Sequence, residues 1–235
     1  MTQEAIILAG GLGTRLKSVL ADLPKSLGPV AGKPFLEYLL EYAGQQGIHK
    51  FVFALGYKTE LIEEFVKSFL PKEQYSFSIE EQPLGTGGAI FKACRQIKGE
   101  NAFVLNADTF FSVDFSALFS EHENKKATCT LALKPMKSFD RYGAVELNRE
   151  KQVTGFSEKK YHQEGLINGG VYVLQVKSFL QKTFPEIFSF EKDYLEKEYL
   201  KKDVFGMISD AYFIDIGVPE DYKRAQTELL FRLKD

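Results

Sequence analysis

Three places in this chain hold residues of the kind that handle phosphates. The first is Gly10-Gly11-Leu12-Gly13-Thr14-Arg15-Leu16, which follows the apolar run Ile6-Ile7-Leu8-Ala9 and precedes Pro24-Lys25. Glycines leave a loop without side chains, so its backbone N–H groups can approach an anion closely. Arg15 and Lys25 add two cations within reach of the same anion, and together these parts suit a triphosphate. The second place is Asp108, after the apolar run Ala102-Phe103-Val104-Leu105, and the third is Asp215, directly after Tyr212-Phe213-Ile214. A carboxylate at the carboxyl end of a strand faces the crevice where open α/β sheets bind ligands. It can hold Mg²⁺ there, a hard cation that takes oxygen ligands.

The familiar short motifs do not fit. A dinucleotide fingerprint needs glycine where this chain has Leu16, and a Walker A loop needs Gly-Lys-Ser/Thr where it has Thr14-Arg15. A bare Gly-Gly-x-Gly also serves as a tight strand-to-helix turn, and Arg15 with Lys25 is what shifts the reading to phosphate binding. Asp108 taken alone is as readily a turn or capping residue. His49, His122 and His162 show no ligand spacing and read as surface residues.

These groups need a scaffold. Phe35, Leu36, Leu39, Leu40 and Ala43 recur at helical spacing, Phe51 to Leu55 reads as a buried strand, and Leu61, Ile62, Phe65, Val66 and Phe69 form a second helical stripe. Strand and helix alternating in this way predict a parallel sheet covered on both faces. Glu81-Gln82-Pro83-Leu84-Gly85-Thr86-Gly87-Gly88 then forms a second glycine loop at a strand end. The Gln82 amide there offers both a donor and an acceptor to a base edge. Beyond Ala127 the pattern turns to strands at Thr128–Leu133, Gly143–Leu147, Val153–Phe156 and Gly169–Leu174. The loops between them carry Arg141-Tyr142-Gly143, Glu158-Lys159 and Ile167-Asn168-Gly169-Gly170. A helix over Ser189–Lys201 and a last helix opened by Pro219 complete the reading.

Composition narrows the class. A net charge of −2 gives no electrostatic footprint for nucleic acid, and no apolar run approaches the roughly 20 residues of a membrane span. The chain goes straight into a strand, so no signal peptide is expected. Cys94 and Cys129 lie in no metal or redox spacing, so reduced thiols in a cytoplasmic protein are expected.

Taken in order, these motifs resemble those of the sugar-1-phosphate nucleotidylyltransferases over essentially the whole chain. They are Gly10 to Leu16, Pro24-Lys25, Pro83 to Gly88, Asn106-Ala107-Asp108, Glu158-Lys159, Asn168-Gly169-Gly170 and Asp215-Ile216-Gly217. The resemblance implies an α/β, Rossmann-like nucleotidyltransferase fold, three-layer α/β/α with a predominantly parallel mixed sheet. It implies one domain over residues 1–235, with a nucleotide half to about residue 110 and a sugar-phosphate half beyond. It assigns the nucleotide to Leu8, Ala9, Gly10, Gly11, Gly13, Thr14, Arg15, Lys25, Gln82, Gly85, Thr86, Gly87 and Asp108. The sugar phosphate falls to Tyr142, Gly143, Glu158, Lys159, Asn168 and Gly170. Mg²⁺ falls to Asp108 and Asp215, and catalysis to Arg15, Lys25 and the two aspartates.

Phe139 to Gly143, Gly165 to Gly170 and Tyr212 to Tyr222 carry a closer likeness to the family's heptose-1-phosphate guanylyltransferase branch. That likeness implies GTP and a manno-configured heptose 1-phosphate as substrates, pyrophosphate release, and a product used in bacterial surface glycans. A mannose- or glucose-1-phosphate enzyme using GTP, UTP or dTTP is the alternative. A metal-dependent glycosyltransferase would explain Asn106 to Asp108 but not Gly10 to Lys25, and a non-catalytic regulatory subunit would be expected to lose catalytic positions. Ala107 stands where the family commonly has Gly, Lys160 where Pro often follows Glu-Lys, and Gln82 where related guanylyltransferases often have Glu. The string leaves the oligomeric state open, with a homodimer as one assembly to test.

Overall fold

A computed structural model describes residues 3–11, 20, 23–56 and 59–232 of the chain. Strand β1 (Glu4–Leu8) is followed by a small ribbon of β2 (Pro29–Val30) and β3 (Lys33–Pro34). Helix α1 (Phe35–Gln45), β4 (Lys50–Leu55), α2 (Thr59–Phe69), β5 (Tyr75–Ile79), α3 (Gly85–Cys94) and β6 (Asn101–Asn106) then alternate as the apolar periodicity predicts. Strands β6, β1, β4 and β5 lie side by side and parallel.

Alternation along β1 shows why the sheet is covered twice. Ala5 and Ile7 point to the layer of α1 and α2, where they meet Leu36, Leu39, Ile62 and Val66. Ile6 points to the other layer, where Ala89, Ile90 and Ala93 of α3 lie. All of these side chains are buried, and each large one contributes about 1.5–3 kcal/mol relative to exposure.

The chain continues through β7 (Thr109–Phe111), α4 (Phe115–Lys125), β8 (Cys129–Phe139), β9 (Ala144–Leu147), β10 (Val153–Ser157) and β11 (His162–Gln175). Strand β11 runs antiparallel to β6, β8 and β9, so it ties the parallel half to the second half in one mixed sheet. The stretch Asn168 to Gly170, expected as a loop, lies inside β11. There the register against β8 shifts between Asn168 and Tyr172, and Gly170 takes φ +73°. A Cβ on Gly169 would come within 2.3 Å of the Phe111 ring, so the bulge needs glycine to press against β7.

After α5 (Val176–Leu180), the helix expected over Ser189–Lys201 forms but opens as a π-helical turn, Phe190–Leu195. Phe190, Tyr194 and Leu195 all turn into the core. Strand β12 (Val204–Ile208) adds to the sheet beside β8. The last strand, β13 (Phe213–Asp215), instead pairs antiparallel with β7 in a separate ribbon. Helix α6 (Pro219–Arg232) closes the described chain. No helix among the described residues is long and apolar enough to cross a membrane.

His122 corrects a sequence expectation. It is buried between α4 and the sheet, because its polar atoms are all provided for. The Asn101 amide donates to Glu123, which leaves its Oδ1 to accept from His122 Nε2 at 3.2 Å, while Nδ1 meets the Thr130 hydroxyl at 3.0 Å. Burial pushes this imidazole from its ordinary 6.5 down to about 4. The stability held by the neutral ring is therefore complete above pH 6.5 and lost as the pH falls toward 4. The unfolding free energy should drop by about 3 kcal/mol across that window through His122 alone. Denaturant unfolding of the wild type and His122→Gln against pH checks this, and parallel profiles for the two proteins would contradict it.

Candidate active site

A cavity of about 370 Å³ opens at the carboxyl ends of β1 and β6, where parallel α/β sheets bind ligands. Of the residues assigned to the nucleotide, Leu8, Ala9, Gly10, Gly11, Lys25, Gly85, Thr86 and Asp108 line it. Gly13, Thr14 and Arg15 lie outside the described residues. The two described glycines of the first loop act differently. A Cβ on Gly10 would stand 3.1 Å from the Gly56 amide nitrogen, so that position needs close backbone approach. Nothing lies within 4 Å of a Cβ on Gly11, which leaves open space beside the loop.

The second glycine loop owes its composition to packing. A Cβ on Gly87 would meet the Phe188 ring at 2.3 Å, and Gly85 adopts φ +73° against the Phe188 carbonyl. Gly87 N–H donates to Phe188 O at 3.0 Å, and Phe190 N–H donates to Thr86 Oγ1 at 2.9 Å. Gly87 thus faces the segment leading into the π-helical turn, away from the cavity. Gln82 is also outside the lining, with its Nε2 donating to Glu186 Oε1 at 2.7 Å on the surface. The cavity wall nearby carries Glu80 instead. Its Oε2 accepts from Leu84 N–H at 2.8 Å, and burial raises its carboxyl above the usual range.

Lys25 and Asp108 line the cavity, and Asp215 stands beside them just outside the lining. Lys25 Nζ bonds Asp108 Oδ2 at 2.7 Å. Asp215 arrives by the β7–β13 ribbon, in which it pairs with Thr109, and Ile216 N–H donates to Asp108 O at 3.0 Å. The aspartates therefore meet across a small antiparallel ribbon, and not at the ends of two strands of the main sheet. Asp215 Oδ1 accepts from Gly217 N–H at 2.6 Å and Oδ2 from the Tyr142 hydroxyl at 3.1 Å. Burial, and beyond that the negative charge of Asp108, push the Asp215 carboxyl up, while Lys25 and these hydrogen bonds pull it down. Lys25 offsets only part of the charge of this pair, and hard oxygen donors of this kind suit Mg²⁺ as a further cation. No cluster of three or more metal-binding side chains occurs among the described residues, so phosphate oxygens and water would complete the coordination.

The sugar-side residues surround this cluster without lining the cavity itself. Tyr142 touches Asp215, and Arg141 lies over the Tyr142 ring at 5.5 Å while pairing with Asp221 of α6. Asn168 Nδ2 donates to the hydroxyl of Tyr172, a lining residue, at 2.7 Å. Gly170 lies against Thr109 and Asn106, on either side of Asp108. Gly143 lets β9 approach the Ser157 carbonyl, and Glu158 and Lys159 are exposed on the loop after β10.

Two further lining residues had no signal in the sequence reading. Ser26 is buried, and its hydroxyl has no partner among the described residues. Glu191 projects from the π-helical turn. Its side chain stays open to solvent; partial desolvation at the cleft pushes its carboxyl up, with Lys159 acting in the opposite direction.

A covered α/β sheet whose crevice brings two glycines to a lysine, with two aspartates beside it, has the make-up of a site for phosphate-bearing ligands. The chain belongs to the nucleotidyl transferase family, which it matches over residues 4–231. It is 52% identical over 226 residues to the D-glycero-α-D-manno-heptose 1-phosphate guanylyltransferase of Aneurinibacillus thermoaerophilus, covering 96% of this chain and 98% of the relative. The protein of that name from Campylobacter jejuni is 48% identical over 219 residues, covering 93% and 96%. The fold superposes on HddC from Yersinia pseudotuberculosis, crystallised with GMP-PN, with a TM-score of 0.85 and 37% identity over 96% of this chain and 98% of that one.

Since Asp215 is held beside a second carboxylate, its charge adds no stability to the empty protein. Asp215→Asn should therefore leave the melting temperature unchanged or slightly higher. Asp221→Asn weakens the buried carboxylate's hold on Arg141 and Arg224 and should cost about 1–3 kcal/mol, at roughly 2–4 °C per kcal/mol. Thermal melts of the two variants check the contrast, and a large drop for Asp215→Asn would contradict it.

Proposed function

We propose that this chain transfers GMP from GTP to D-glycero-α-D-manno-heptose 1-phosphate, releasing pyrophosphate and forming the GDP-linked heptose. The observation that carries the reaction class is the Lys25–Asp108 pair set beside Asp215 at the nucleotide crevice. The near full-length identity to two guanylyltransferases supports the choice of substrates.

In the reaction, an oxygen of the sugar 1-phosphate attacks the α-phosphorus of the nucleotide, and the bond to the β-phosphate oxygen breaks. The nucleophile is already anionic, so no strong general base is needed, and no histidine lines the cavity among the described residues. The work is positioning and charge neutralisation. Lys25 moves from Asp108 toward the phosphates, Arg15 joins it in keeping with the family likeness, and Lys159 meets the sugar phosphate. Asp108 and Asp215 would hold Mg²⁺, which when bound offsets the repulsion between the two substrates. Glu80 is the base reader: its carboxylate is matched to the two adjacent donors, N1–H and N2–H, of guanine.

This reading carries with it a single domain with nucleotide and sugar halves. It also carries a cytoplasmic setting, in keeping with the two buried free thiols, Cys94 and Cys129, and a product destined for surface glycans. Light scattering on the purified chain tests for a homodimer.

The direct test is a grid of nucleoside triphosphates against heptose and hexose 1-phosphates, read by pyrophosphate release. GTP with the manno-configured heptose should give the highest kcat/KM, and a clear preference for UTP or dTTP would sink the assignment. Glu80→Gln should raise KM for GTP about tenfold or more with little change for the sugar. Lys25→Ala should lower kcat about 10²-fold or more, as for loss of one transition-state donor. A change in nucleotide KM alone would make Lys25 a uniform binding contact.

A further inference from the structure

One carboxylate in the cavity takes no part in the chemistry above. Glu191 lines it together with Phe190, Thr86 and Asp108. Its place is rigidly set. Phe190 and Tyr194, on either side of it along the π-helical turn, are buried, and Phe190 N–H is bonded to Thr86. Asp193 on the same turn is occupied, accepting from Ser189 N–H at 2.9 Å and from Lys197 at 3.1 Å. Among the described residues, no other side chain reaches Glu191 with a hydrogen bond or ion pair. π-Helical turns are rare and are found often at functional sites.

Glu191 stays open to solvent, so its carboxylate is free to take a ligand's donors, but it repels phosphates that enter the same cavity. Its natural partners are donors, and a pair of neighbouring sugar hydroxyls can bond both oxygens of one carboxylate. Two such pairs enter this site, on the ribose of the nucleotide and on the acceptor sugar. Sheet order separates them. Glu80 and Gly10 stand over β1 and β4, at the base end, whereas Tyr172 on β11 and Asp108 after β6 lie on Glu191's side.

Resting on the nucleotidylyl-transfer reading, we propose that Glu191 is a specificity residue for the acceptor, holding neighbouring hydroxyls of the sugar 1-phosphate from the π-helical turn. It acts on the ground state as much as on the transition state, so its loss should appear in KM and not in kcat.

The test is steady-state pyrophosphate release by the full chain and by Glu191→Gln, with GTP and heptose 1-phosphate varied in turn. The expected result is a rise of about tenfold or more in KM for the sugar phosphate, with kcat and KM for GTP each within about threefold of wild type. Melting temperature should stay the same, and Glu191→Asp, which keeps the charge but shortens the reach, should show the same KM pattern. An unchanged sugar KM, a lower one, or a rise confined to GTP would overturn the proposal, the last marking the ribose as the partner. A wild-type chain that releases no pyrophosphate with any substrate pair overturns the underlying reading, and Glu191's role with it. A fall in kcat together with the melting temperature in both variants would make Glu191 structural.

Discussion

Asp108 and Asp215 are brought together by a ribbon of three residue pairs, with the ammonium of Lys25 bonded to Asp108 and acting on Asp215 through its charge. Everything else around the crevice serves that concentration of charge. Strand β1 places the glycine loop above it, the bulge in β11 presses on both sides of Asp108, and Tyr142 and Gly217 fix the oxygens of Asp215. Burial, and after it the negative charge of Asp108, push the Asp215 carboxyl up, so the two carboxylates oppose each other. Lys25 supplies the balancing cation in the empty site, and on the proposed reading a metal ion with substrate would take over that part when the site is full. The same feature makes it useful, since a site that attracts cations can bring two anionic substrates into contact.

The parallel half of the fold was legible because its signals are local. Apolar runs ended by glycines mark β1 and β4, an apolar run ended by Asn106-Ala107-Asp108 marks β6, and helical stripes mark α1 and α2. Lys25, Asp108 and Asp215 could be picked out because each is a charge set just after an apolar run or beside Pro24. What the string hid depends on distant pairing. The β7–β13 ribbon joins segments about a hundred residues apart, so two aspartates expected at the ends of sheet strands meet instead across a separate hairpin-like ladder. The bulge at Asn168 to Gly170 looked like a loop because glycines signal turns and bulges alike.

Burial was the other blind spot. His122 is polar and on a helix, and only Asn101 and Thr130, from two other strands, make its interior position affordable. Gly87 looked like a phosphate-loop glycine, yet the Phe188 ring is what excludes a side chain there. That contact has a functional consequence. The loop over the nucleotide and the turn carrying Glu191 are zipped together through Thr86, Gly87 and Leu84, so the two ends of the crevice are held by one rigid piece of chain. Glu80 and Glu191 carry no sequence signature, because a glutamate's role depends on what stands around it.

The claim that the two aspartates form one cation site is tested most directly by counting the ion. Mn²⁺ binding to the full chain with a non-hydrolysable GTP analogue can be followed by the loss of the free-ion signal in electron paramagnetic resonance. The wild type should bind Mn²⁺ in a stoichiometric site, and Asp108→Asn and Asp215→Asn should each weaken that binding at least about tenfold while the protein stays folded. Mn²⁺ affinity unchanged in either variant would contradict the account.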